Sequence, residues 1–535
     1  MFFKKDDKQP YIFDQFSHLG PKRRRLLDES WAGIFRGEIL PGLPVDELRK
    51  HYHDTDGRPT NEMYSMVGLM ILQQMHDLTD EEAIEQFAFN IKWHYALNVT
   101  GNSDKFSYVS LKSLWNMRNL LTNEGLYSVL FDNTAQKLAK VFEVDFTKQR
   151  IDSVHIQSNM RHLGRISLFS KTIKNFLTNL KRHHRVFYDQ LEQDRFTRYV
   201  HKKDESIFAA VKPSDAPKTL DQLATDTCYL VERFVSTEKV NNMSSYKVLA
   251  RLFNEQCTIK DDNDINDEKI VIAKPNKEVP SDSLQNPSDP DAGYSGHKGK
   301  GYQVQVMETY SNDPEEKQLS LITHIQVESA DESDANALLP AIKDTAERAM
   351  SPKELLADSL YGSDDNLQQA KQDYNVDVVA PVMGAKSKGL NLDNFQLDSD
   401  EKIILCPQGN RPISVERPKD RFIAKFNCSD CLKCSELKNC PVSEGKKAYT
   451  YYYDDKMIRL SKRRLSEDTD DFKDIYRYRA GVEATMSEYD RRTGVKHLRV
   501  RGVKAVSFSA AIKAIGINIF RAARFRFSQS VPVAG

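Results

Sequence analysis

Apolar positions recur at helical spacing through roughly the first 145 residues and change to strand-like runs beyond them. Residues 63–75 (MYSMVGLMILQQM) are apolar at a helical period. Thr79 followed by Glu82 has the spacing of a capping box that opens the next amphipathic helix, over 83–95. Further helices are expected over 110–121 and 124–142. Residues 146–156 (FTKQRIDSVHI) then read as a strand, followed by long polar helices over 165–199 and 219–257. An acidic linker and a short strand, 269–273 (KIVIA), lead to a Pro-, Ser-, Asp- and Gly-rich loop over 275–301. Strands at 302–310 (YQVQVMETY), 319–327 (LSLITHIQV), 354–358 (ELLAD) and 376–381 (VDVVAP) alternate with helices at 335–350 and 365–372. Long helices resume near 468 and 506. The pattern predicts an α/β fold with a mixed sheet and two long insertions.

At 535 residues the chain exceeds one simple core, so two to four domains or large insertions are expected. No long uninterrupted apolar run stands out, and residues 1–10 are polar, so neither a membrane span nor a secretory signal is expected. Basic and acidic residues balance at 77 each, but not locally. Residues 456–535 carry 18 Lys+Arg against 8 Asp+Glu, and 491–504 (RRTGVKHLRVRGVK) hold six basic residues and no acid. Compensating acid lies in 261–268 (DDNDINDE). A basic C-terminal region suits tracking of phosphates, although a solvated helix face has the same composition. Lys22–Arg25 and Lys181–Arg185 carry the same two readings.

Cys228 and Cys257 sit in helical-looking sequence and read as buried thiols. Cys406, Cys428, Cys431, Cys434 and Cys440 cluster, and in a reducing cytosol clustering suggests metal before disulfides. Cys428, Cys431, Cys434 and Cys440 are the expected ligands of a structural Zn²⁺. An iron–sulfur cluster and free or redox-active thiols are the alternatives. His324 reads as a buried or sheet-face histidine, and the tyrosines over 449–453 as strand packing.

Three acids stand out by context. Asp152 is a charge within an apolar strand, Asp358 closes ELLAD, and Glu483 ends YRYRAGVE. A strand carboxylate is costly unless paired or bound to metal. Spacing alone does not join the three. The segments IDSVHI, LLADSLYGSDDN and YRYRAGVE, in this order, resemble the acidic motifs of bacterial insertion-sequence transposases of the DDE superfamily. GHKGKGYQVQVMETY resembles the strand that follows the first aspartate there. Gly57-Arg58-Pro59 and the following helices resemble the family's N-terminal helical domain.

The resemblance implies an RNase H-like catalytic domain over 146–535, with a helical insertion at about 160–265 and a cysteine-rich one at about 384–455. A helical DNA-binding domain is implied over 1–145. It further implies Asp152, Asp358 and Glu483 as catalytic ligands of Mg²⁺ or Mn²⁺, with Tyr476, Arg479, Arg491, Arg492 and Lys496 against DNA. Partners would be double-stranded DNA (element terminal inverted repeats and target DNA) and a second copy in the end complex. The expected location is the bacterial cytoplasm, at the nucleoid. The sequence departs from the family at Asp490, where a lysine is usual, so either Arg491 or Lys496 supplies that charge or the contact is absent. An RNase H-like nuclease without strand transfer, or an inactivated transposase that only binds DNA, remains an alternative.

Overall fold

The computed structural model describes residues 1–5, 15–53, 59–99, 101, 103–160, 163–200, 211–260, 270–313, 318–384 and 389–530. The acidic stretch 261–268, and Gly57 and Arg58 of the family-like tripeptide, lie outside the described residues.

Four helices dominate the N-terminal part: α1 (Met63–Met75), α2 (Asp80–Phe89), α3 (Leu111–Asn123) and α4 (Leu126–Val141). α1 is buried on nearly every side. The Glu62 carboxylate accepts from the first amides of α1, where the helix dipole favours a negative charge. The capping box forms: Thr79 Oγ1 accepts from the Glu82 amide at 3.3 Å, and Glu82 accepts from the Thr79 amide at 2.7 Å.

A six-stranded mixed sheet follows, built of β1 (Lys148–Gln157), β2 (Gly293–Ser295), β3 (Gly299–Thr309), β4 (Ile322–Ser329), β5 (Glu354–Leu356) and β6 (Asp377–Val379). β3 pairs antiparallel with β1 on one edge and with β2 and β4 on the other. β5 and β6 continue parallel on the far side of β1, giving the order β4-β3-β1-β5-β6. β1 therefore lies at the centre, with Asp152 opposite Val306.

Several expected elements change length. The alternation read in 302–310 does not translate into one wet face, because β3 is buried along most of its length. It is flanked by strands and covered by helices, and its polar residues find partners inside. The expected helix over 165–199 breaks at His184, whose backbone leaves the helical region, so α5 spans only Arg165–His183. The next helix divides into α6 (Ala216–Phe234) and α7 (Ser244–Gln256). Cys257 is a strand residue rather than a helical one. It begins a hairpin, Cys257–Lys260 against Ile270–Ala273, that closes a separate helical core.

α8 (Leu338–Glu347) and α9 (Asp364–Tyr374) cover one face of the sheet through Leu338, Ile342 and Ala370. A three-stranded sheet of Ser414–Glu416, Arg421–Phe426 and Tyr449–Asp454 follows. There Tyr449, Tyr451 and Tyr453 point into a small core, which is the strand-packing reading of these tyrosines. The chain ends in α10 (Asp455–Glu467), α11 (Asp470–Tyr476), α12 (Gly481–Thr493) and α13 (Val503–Ser530). α13 is long and apolar enough to cross a membrane, yet most of it is buried against α1, α4 and β4. The N-terminal helices and the C-terminal helix thus share one hydrophobic core.

Candidate active site

Asp152 points from the middle of the central strand and is 17% exposed. Its Oδ1 accepts from the Ser153 amide at 2.8 Å. Burial raises its carboxyl above the usual range, and neighbouring Asp358 and Asp334 push the same way. Arg479 and the Ser153 amide pull it down. Asp358 lies two residues beyond the end of β5, not within it, and its Oδ1 accepts from the Leu360 amide at 2.7 Å. That local turn holds the carboxylate at the C-terminal end of a parallel strand, where open α/β sheets gather their sites. Glu483 is the third residue of α12 and is 70% exposed.

These acids come from segments more than a hundred residues apart, and one guanidinium joins them. Arg479 Nη2 lies 2.8 Å from Asp152 and 4.0 Å from Asp358, and Nη1 lies 3.4 Å from Glu483. Tyr476, Arg479 and Glu483 do not share one continuous α-helix. α11 ends at Tyr476, and Arg477–Ala480 form a tighter 3-10 turn before α12 begins. Arg479 and Glu483 still meet because the turn preserves their approximate stacking. Tyr476 stacks on Phe472, and burial raises its phenol.

Beneath this group lies a second charged cluster that sequence reasoning passed over. Glu308, on β3, is fully buried. It pairs with Arg150 and Arg521, each at 2.7 Å, and accepts from Thr485 Oγ1. Arg150 also donates to the Tyr478 carbonyl at 2.7 Å. Its guanidinium passes so close to Gly481 that an added Cβ would sit 2.0 Å from Nη1, which explains a glycine at the start of α12. The network ties β1, β3, α12 and α13 together and so fixes Glu483 relative to Asp152. An acid inside METY, among apolar strand residues, was the available signal.

Asp334 was likewise missed, and Tyr361, the tyrosine of LLADSLYG, was given no role of its own. Tyr361 is buried and donates to Gln305 at 2.5 Å. Burial, with Asp334, Asp152 and Asp358 nearby, raises its phenol well above the ordinary value. Asp334 accepts from the Gln305 amide group at 2.8 Å.

The other expected residues scatter along the C-terminal helices. Asp490 lies in the last turn of α12, where its side chain accepts from the Lys496 amide, and Lys496 Nζ returns to within 4.0 Å of it. Arg491 is exposed. Arg492 pairs with Glu488 at 3.1 Å and lies over the Phe520 ring. Arg499 reaches Asp77. His324 is buried and bonded to Asp344, as its sheet-face reading anticipates.

Among the described residues no three His, Cys, Asp or Glu side chains stand close enough to hold one metal ion together. The zinc expectation at Cys428, Cys431, Cys434 and Cys440 is therefore not supported, and Asp152, Asp358 and Glu483 meet through Arg479 rather than around one cation position. The grouping also differs. Cys406, Cys431, Cys434 and Cys440 line one small cavity of about 20 Å³, while Cys428 is not among its lining residues. Cys406, Cys428, Cys431 and Cys440 pack against the apolar core of the three-stranded sheet. Burial raises the Cys431 thiol to about 11, which favours the neutral form.

A mixed sheet that presents a central-strand aspartate, a strand-end aspartate and a helical glutamate around one arginine defines a carboxylate-centred site. Residues 405–523 match the Transposase DDE domain family, and residues 36–120 match a transposase domain family, DUF772. The first match includes Glu483, Arg479 and Tyr476 but neither aspartate. The chain is also 37% identical over 57 residues to an uncharacterized protein, ORF8 in the nfe locus of Rhizobium meliloti. That stretch is 11% of this chain and 28% of the relative. Two separate segments of the chain are thus similar to transposase families, the C-terminal one to a DDE domain.

Proposed function

We propose that the protein cuts DNA at the ends of an insertion element and joins those ends to target DNA, using Asp152, Asp358 and Glu483 as ligands for Mg²⁺ or Mn²⁺. The observation that carries this reading is the convergence of the three acids on Arg479. The guanidinium stands where cationic charge is favoured, and carboxylate oxygens are the hard donors such ions take. The order β4-β3-β1-β5-β6, with β1, β3 and β4 antiparallel and β5 and β6 parallel to β1, supports an RNase H-like core. On this reading the catalytic domain covers 146–535 and residues 1–145 form the DNA-binding part. The helical unit near 160–265 and the cysteine-bearing unit near 384–455 are insertions.

Bound divalent ions would activate the attacking oxygen and stabilise the leaving one. Asp152 and Asp358 sit on the rigid sheet and fix the position of that charge. Glu483 closes the site from α12, held by the Glu308 network. Tyr476 and the exposed Arg491 lie on the same C-terminal segment and face the backbone of incoming DNA, with Lys496 near the place of the family lysine. Arg492 contributes less, because its side chain is already engaged by Glu488 and the Phe520 ring. Two copies would hold the two ends, and the protein would work at the bacterial nucleoid.

The test is cleavage and joining of labelled duplex carrying the flanking ends of the encoding element, with Mg²⁺ or Mn²⁺. Wild type is expected to nick and join. Asp152→Ala is expected to bind ends and do neither, and cleavage retained in that variant would remove Asp152 from the assignment. Asp490 favours a second reading, a DNA-binding protein without catalysis. Binding without any wild-type cleavage would establish it.

A further inference from the structure

The two arginine–carboxylate clusters differ in their charge balance. In the buried one, Arg150 and Arg521 both meet Glu308. In the open one, a single guanidinium faces three acids, so the group is two charges short of neutrality when all are ionised. Among the described residues the ion-pair partners of Arg479 are these three acids, and its Nε is buried without a hydrogen-bond partner. Its backbone belongs to the 3-10 turn between α11 and α12. Short 3-10 stretches of this kind often act as hinges, because their hydrogen bonds are weaker than those of an α-helix.

We propose that Arg479 is a positioning residue that takes the place of the cations before they bind, holding Asp152, Asp358 and Glu483 together, and that it must leave as they enter. This rests on the reading of those acids as cation ligands. A carboxylate lone pair directed at a guanidinium is not free for a metal ion at about 2.0–2.1 Å. Like charge also opposes a guanidinium and a divalent ion within a few ångströms of each other. Cations and Arg479 are therefore competitors for one set of oxygens. A DNA phosphate offers the displaced guanidinium a new bidentate partner. Cation loading and DNA binding are then linked, and the linkage is reciprocal. Without DNA the site resists filling, and with DNA it fills readily.

The experiment is Mn²⁺ titration of the DNA-free full-length chain, followed by the electron paramagnetic resonance signal of free Mn²⁺. Wild type is compared with Arg479→Gln and Arg479→Lys, and circular dichroism verifies the fold of each. The expected result is that Arg479→Gln binds Mn²⁺ about fivefold or more tightly than wild type. Arg479→Lys should fall between them, since it keeps the charge and loses the planar fork. Adding duplex DNA should tighten Mn²⁺ binding by wild type and leave Arg479→Gln nearly unchanged. Equal or weaker Mn²⁺ binding by the variants, with wild type binding, overturns the competition while leaving the cation site standing. No Mn²⁺ binding by any of the three, with or without DNA, removes the cation site itself and this inference with it.

Discussion

Glu308 and Asp152 lie on neighbouring strands, and both meet arginine, yet the two clusters are built to opposite ends. Glu308 has no exposure, and its two arginines and the Thr485 hydroxyl use its oxygens. Asp152 and Asp358 keep 17% and 29% exposure and share one arginine with Glu483. A buried charge with full compensation fixes geometry and is costly to break. An open group of acids with too little compensation stores electrostatic cost at neutral pH and is poised to receive positive charge. Surplus charge and access to solvent, more than the count of charged residues, separate the proposed site from its scaffold.

The largest effect expected from this contrast is chemical. Asp358→Asn should lower strand cleavage at least about a thousandfold, equivalent to roughly 4 kcal/mol of transition-state stabilisation. Its urea midpoint should stay close to that of wild type, and a large loss of stability would move Asp358 into the scaffold class. Glu308→Ala should behave in the reverse way. It leaves Arg150 without its ion-pair partner and Arg521 with Glu488 alone, and should cost about 3–5 kcal/mol of unfolding free energy, measured by urea denaturation. A fall below about 1 kcal/mol would show that the buried cluster tolerates imbalance.

Between these lies a pH effect in EDTA. The Asp152 carboxyl is raised in the folded chain, so its ionised form opposes folding at pH values above that raised position. The penalty fades as pH falls through the folded value towards the ordinary carboxyl range. Asp152→Asn should therefore melt a few degrees above wild type at neutral pH, and the gain should disappear as pH approaches 4. A pH-independent difference would assign the effect to packing. The smallest effect belongs to Arg492→Ala, which loses an exposed pair with Glu488. That variant should change stability by no more than about 0.5 kcal/mol.

The periodicity of the chain located β1, β3, β4 and the capping box of α2 closely, because each depends on neighbours in sequence. The breaks at His184 and at the Arg477–Ala480 turn were not legible, since both lie in segments whose helical pattern runs on unbroken. The three acids were found through their motif contexts. Their meeting at Arg479 is a tertiary fact that no spacing contains. Asp334 and Glu308 escaped for a related reason: a lone acid in a sequence looks the same whether it caps a loop or anchors a core. The cysteines illustrate the limit from the other side. Their spacing drew Cys428 into one group, whereas chain folding brings the distant Cys406 beside Cys431, Cys434 and Cys440.

The burial of α13 against α1 and α4 has a consequence for how the protein is made. α1 and α4 are made well before α13 and have no finished core until Val503–Ser530 has been synthesised. At ~5–20 residues per second that interval is on the order of tens of seconds, during which Met66, Leu69 and Met70 need shelter from other chains. A message cut short before α13 would yield an unfinished core and a target for proteolysis, so the last helix made decides whether the earlier ones survive.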